Sequence, residues 1–100
     1  MYDMKNMGKL KRFAELAPAA FKKFVEFDEA VIKEGVVPVK YKELIAVAVA
    51  LTTQCPYCIE IHSKRARQAG ATEQELAETT LVAAALRAGG AMTNGTHTLE

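Results

Sequence analysis

Phe21, Phe24, Val25, Val31 and Ile32 recur at three- and four-residue steps, while Lys22, Lys23, Glu26, Glu29 and Lys33 fill the other face. That alternation predicts an amphipathic helix. Pro18 suits its first turn, where a missing N–H is harmless, and Gly35 is expected to take the left-handed conformation that ends it. A shorter helical piece, about Gly8 to Leu16, is expected to precede it.

The segment Val39 to Thr53 contains Leu44 to Leu51, apolar throughout, a pattern shared by buried strands and buried helices. Its alanines, its length and the lack of any partner strand in the chain select a helix. Pro56 marks a new start, and Tyr57 to Gln68 reads as a helix stopped by Gly70. Thr72 with Glu75 three positions on forms a capping box that opens the last main helix. That helix carries Leu76, Leu81, Val82, Ala83, Ala84, Ala85 and Leu86, and is expected to break or bend at Gly89-Gly90 before a tail ending near His97. The expectation is an all-α protein of about five to six helices.

A chain of 100 residues, half of them hydrophobic, fits one domain over residues 1–100. Leu99-Glu100, which could be a cloning scar, carries no weight. The helices expected over 39–53 and 73–88 are apolar on nearly every side, with one amphipathic helix to cover them. A lone copy would expose part of that surface, so a symmetric homo-oligomer is expected.

Charge adds mainly exclusions. The 13 basic and 12 acidic residues give a formal net charge of +1 without a long basic run, the wrong footprint for nucleic acid or an anionic membrane. The N-terminal residues lack the apolar core of a signal peptide, and the run Leu44 to Leu51 is too short to span a bilayer. A cytoplasmic location is expected, and in a reducing compartment a cysteine pair is more often redox-active or metal-binding than a structural staple.

The chain's only two cysteines lie in T-T-Q-C-P-Y-C-I-E-I-H-S-K-R, Thr52 to Arg65. On a helix, Cys55, Cys58 and His62 would fall at roughly 0°, 300° and 340°, one stripe about 60° wide. A helix N-terminus stabilises a thiolate and favours Cys55, whereas proximity to the base His62 favours Cys58. The spacing leaves the nucleophile open. A tight turn near Thr53 to Pro56 would lay the two flanking helices antiparallel and bring Glu43 level with His62 to Arg65. A carboxylate there would orient the imidazole and raise its basicity, completing an activated thiol.

Other readings use the same residues. Cys55, Cys58, His62 and Glu43 could supply four zinc ligands in a non-catalytic module, although structural zinc sites usually draw their cysteines from two separate segments. The cysteines could be inert core residues, and Glu43 could serve only the helix dipole. Tyr57 reads as packing, Lys64 and Arg65 as a solvated face, and His97 as an uninvolved tail residue.

Glu43, then Cys55-Pro56-Tyr57-Cys58 twelve residues on, then His62, resembles the alkylhydroperoxidase D-like branch of the carboxymuconolactone decarboxylase family. The phrases K-E-L-I-A-V-A-V-A-L-T-T-Q-C-P-Y-C-I-E-I-H, A-G-A-T and A-A-A-L-R-A-G-G-A extend the likeness from about Phe21 to Leu99. The resemblance implies an all-helical fold in trimers or hexamers and reduction of hydroperoxides without a bound cofactor or metal. It assigns Cys58 as the peroxidatic cysteine, Cys55 as the resolving one, and Glu43 and His62 as the proton relay. It also implies a dithiol donor such as a lipoyl-bearing carrier protein. Tyr57 stands where the best-known member has a histidine, and the chain is much shorter than the two-repeat members. A dithiol-disulfide oxidoreductase acting on protein disulfides or a lipoyl group is the neighbouring alternative.

Overall fold

A computed structural model describes residues 2–100. It contains five α-helices: α1 (Leu10–Leu16), α2 (Pro18–Ile32), α3 (Val39–Thr53), α4 (Pro56–Gln68) and α5 (Glu73–Gly95). A 3-10 segment, Met4–Lys9, leads into α1, another, Thr96–Thr98, follows α5, and the described residues contain no strand. The all-α expectation is met, including the helix over Val39–Thr53. No helix among the described residues is long and apolar enough to cross a membrane.

Pro18 occupies the first turn of α2 and Pro56 that of α4, where the absent N–H removes no intrahelical bond. The Thr72–Glu75 capping box is closed at both ends: Glu75 N–H donates to Thr72 Oγ1 at 3.0 Å, and Thr72 N–H to Glu75 Oε1 at 2.9 Å. Gly70, at φ +97°, turns the chain after α4 in a conformation that strains any other residue.

Two expected boundaries are corrected. Gly35 does not end α2 in a left-handed turn. The helix stops at Ile32 and leaves through extended Lys33 (φ −58°, ψ 153°), whose carbonyl accepts from Lys42 Nζ at 2.6 Å. Glu34 Oε1 accepts from Val39 N–H at 3.0 Å at the start of α3. Nor does α5 break at Gly89-Gly90, since it runs on to Gly95. Two glycines lower helix propensity by about 1 kcal/mol each without removing a donor or forcing positive φ, so the alanine-rich ladder continues through them.

The core lies between α3, α4 and the start of α5. Leu44, Ala66 and Ala71 are buried together with Leu76 packed against them, while Val47, Ala50 and Ala83 are buried along α3 and α5. Lys40 Nζ pairs with Glu75 at 2.9 Å, and the Arg87 guanidinium donates to the Thr52 carbonyl, tying α5 to both ends of α3. By contrast, α1 and α2 contain no buried residue. They lean on each other through Phe13 and Phe21, with ring centroids 6.2 Å apart, and meet α3 only sparingly. The radius of gyration, 16.6 Å, exceeds the roughly 13 Å of a compact 100-residue chain, as this projecting arm requires.

Candidate functional site

The site is built at the corner between α3 and α4. Gln54 adopts the left-handed region (φ 57°, ψ 48°), and both its N–H and that of Cys55, at 3.0 Å, point back to the Ala50 carbonyl. The corner is therefore tight, and α4 returns antiparallel along α3. Glu43 and His62, 19 residues apart in sequence, meet across the hairpin with Nδ1 2.7 Å from Oε1.

Glu43 is 2% exposed and is the largest fully buried side chain among the described residues. Placing a carboxylate there costs solvation that only a close partner offsets, so the carboxylate and ring hold each other in one orientation. An ionised carboxylate only accepts, so beside one, Nδ1–H donates to Glu43, and Nε2 is the ring nitrogen left to face other groups. The His62 side chain retains 18% exposure, enough for proton exchange with solvent. Glu43 is thus more than a residue placed for the helix dipole.

Cys55 and Cys58 form a disulfide with Cα atoms 5.3 Å apart. Cys55 is the N-cap of α4 rather than part of it. Its backbone is extended (φ −103°, ψ 95°) because Pro56 disfavours helical geometry in the residue before it. The ideal helical angles expected for the three residues therefore hold for Cys58 and His62 only. The cap is functional nonetheless: Cys58 N–H donates to Cys55 Sγ at 3.2 Å. Cys58 sits in the first turn of α4 with His62 one turn further along the same face. The structure thus brings Cys55 to Cys58 and Glu43 to His62, both on one hairpin. Among the described residues, no three His, Cys, Asp or Glu converge as a metal ion would require.

Tyr57 does more than pack. Its phenolic oxygen accepts from Asn6 Nδ2 at 2.9 Å and from Asp3 N–H at 3.3 Å, and its ring meets Tyr2 edge-on at 4.9 Å. Tyr2 O–H in turn donates to Glu60 Oε1 at 3.0 Å. Loss of solvent around the Tyr2 phenol, followed by this bond to a carboxylate, holds it in the neutral form to higher pH than an ordinary tyrosine. Tyr2, Asp3, Asn6 and Glu60 belong to no motif, and contacts spanning more than fifty residues leave no periodic signal. Lys64 and Arg65 are exposed, as expected of a solvated face, and His97 lies in the short 3-10 turn after α5.

The chain is 45% identical over 76 residues to uncharacterized protein 4 of the cox locus of Paracoccus denitrificans, covering 76% of this chain and 68% of that protein. An uncharacterized protein of Cupriavidus necator is 39% identical over 61 residues, or 61% of this chain and 54% of its own length. Among solved structures, a protein from Methanobacterium thermoautotrophicum superimposes with a TM-score of 0.81 at 40% identity, covering 88% of this chain and 99% of the other. A carboxymuconolactone decarboxylase family protein from Legionella pneumophila gives 0.76 at 35% identity, covering 82% and 73%. The model of that family matches residues 18–100, which contain all four candidate site residues, and the chain belongs to the carboxymuconolactone decarboxylase family.

Proposed function

We propose that this protein is a thiol-dependent hydroperoxide reductase of the alkylhydroperoxidase D-like kind. The observation that carries the reading is a cysteine pair close enough to bond at the start of α4, one turn from an imidazole fixed by a buried carboxylate. A family fold alone would not select this chemistry, since one fold hosts many. His62 Nε2 takes the proton of the Cys58 thiol, while the N-terminal end of α4, through the Cys58 N–H, favours negative charge on the Cys55 sulfur that leaves when the disulfide is reduced. The thiolate attacks the O–O bond, and the alkoxide leaves with a proton as alcohol, giving a Cys58 sulfenic acid. Cys55 thiol displaces water from that sulfur and closes the disulfide. A dithiol donor then returns two electrons and two protons, becoming a disulfide itself.

The role of Cys58 as the attacked sulfur is supported by its place on the helix above His62, and that of Cys55 as resolving partner by its extended backbone outside the helix. The donor we propose is a dithiol such as a lipoyl group on a carrier protein, and the working unit a trimer or hexamer. Intact mass tests the cycle: reduced protein given one equivalent of an organic hydroperoxide should lose two hydrogens and resist alkylation. Cys58→Ser should do neither. Two free, alkylatable thiols after peroxide treatment of the wild type would sink the reading.

A further inference from the structure

The described chain begins with a strap that lies on α4. Tyr2, Asp3 and Asn6 reach Tyr57, and Tyr2 also reaches Glu60, three residues on along the same helix face. Met4 and Glu60 border one surface hollow with Ile61 and Arg65, so the strap follows α4 beyond its first turn. Asp3 caps the 3-10 segment by accepting from Lys5 N–H at 2.9 Å, which gives the strap a defined shape of its own.

Tyr57 is the point where these contacts converge, and it stands inside the four-residue ring closed by the disulfide. With the disulfide closed, the extended backbone of Cys55 and the first helical turn are covalently fixed to each other, and Tyr57 projects from that fixed frame. With it open, the covalent cross-link between the two side chains is gone, and beyond the main chain Cys55 is held to the first turn of α4 by hydrogen bonds, including those from Cys58 N–H to its sulfur and from Ile59 N–H to its carbonyl. A ring aimed by the cross-linked frame is a better anchor for the strap than one on the same turn without the cross-link.

We propose that Tyr57 is a positioning residue for the redox pair, anchoring the Tyr2–Asn6 strap so that strap docking and the Cys55–Cys58 disulfide stabilise each other. The inference rests on reading the two cysteines as a redox pair. Linkage makes the effect reciprocal: the factor by which the disulfide tightens the strap is the factor by which the docked strap favours the disulfide. Two lost hydrogen bonds and an aromatic contact allow a change of about threefold, which is about 14 mV at about 30 mV per tenfold.

The test uses glutathione rather than peroxide. Oxidised glutathione takes the two electrons, two molecules of glutathione leave with the protons, and the equilibrium constant is read by mass after alkylation. In parallel, trypsin cleavage after Lys5 reports strap release. Wild-type protein should be cut about threefold more slowly when oxidised than when reduced. Tyr57→Phe, which keeps the ring and loses the acceptor, should be cut fast in both states and have its equilibrium shifted about threefold towards the dithiol. Tyr2→Ala alters only the strap side and should shift both readouts the same way. Equal cutting of the two wild-type redox forms, or an unchanged glutathione equilibrium in both variants, would overturn the proposal. A disulfide that forms with glutathione but never with hydroperoxide would instead overturn the peroxidase reading and leave the strap untouched.

Discussion

The α3–α4 hairpin and the α1–α2 arm are both rich in apolar residues, yet only the hairpin buries any. The hairpin closes on itself because its corner is tight and small residues line the contact. Ala50 is 3% exposed and Ala66 fully buried, so the backbones approach closely enough to enclose a carboxylate. The arm has nothing comparable to close on: Phe24 and Phe27 are 62% and 66% exposed. The other side of α3 and the middle of α5 share this condition, with Ile45, Val49, Leu81, Val82 and Leu86 also exposed. The proposed chemistry sits where the chain is self-sufficient, and the surface proposed for assembly where it is not.

The sharpest way to break this contrast is at the buried carboxylate. Glu43→Gln keeps the shape but loses the charge that orients His62, and peroxide turnover should fall by about a hundredfold. Activity within twofold of wild type would remove Glu43 from the relay. Next, Ala66→Leu forces a large side chain between α3 and α4, and should cost about 1–3 kcal/mol in denaturant melts together with the site's activity. An unchanged melt would mean the hairpin is looser than its burial indicates.

The capping box offers a smaller effect outside the corner. Thr72→Ala should cost about 1 kcal/mol, read as a lower midpoint in urea, while leaving peroxide turnover intact. Glu75 carries the pH dependence of this region. The Thr72 N–H, then the Lys40 ammonium, hold its carboxyl below the ordinary carboxylate range. A depressed folded value means that the contribution is present at neutral pH and is lost as pH falls through the ordinary range towards that lower value. Glu75→Gln should therefore flatten the acid limb of the stability profile, and an unaltered acid limb would refute the assignment.

The smallest effect on the single chain is expected in the arm. Phe27→Ser should change its unfolding free energy by less than about 0.5 kcal/mol, as for other exposed positions. The same substitution should dissociate the proposed oligomer, measured by sedimentation. Persistence of the full assembly would mean that the arm is not its interface.

The hairpin was legible because each of its determinants is local. The apolar run from Leu44, the start at Pro56 and the turn between them fix an antiparallel register, and that register alone brings Glu43 level with His62. Cys55 was legible as a neighbour of Cys58 but not as a cap, because the effect of Pro56 on the preceding backbone outweighs helical periodicity. Gly35 and Gly89-Gly90 misled because glycine permits a break without imposing one; the surrounding bonds decide. The partners of Tyr57 could not be read at all, since Tyr2 and Asn6 lie more than fifty residues away with no pattern linking them.

The short sequence separation of Glu43 and His62 also bears on the order in which the molecule assembles. Closing a loop of 19 residues costs about 1 kcal/mol less chain entropy than joining Tyr2 to Glu60 across 58 residues. Local helical contacts of this kind form early, whereas pairings distant in sequence come later. The α3–α4 corner should accordingly act as the folding nucleus, with the strap the last piece to settle. A newly made chain would then pass through a stage in which Cys55, Cys58 and His62 are already arranged while the strap is still undocked.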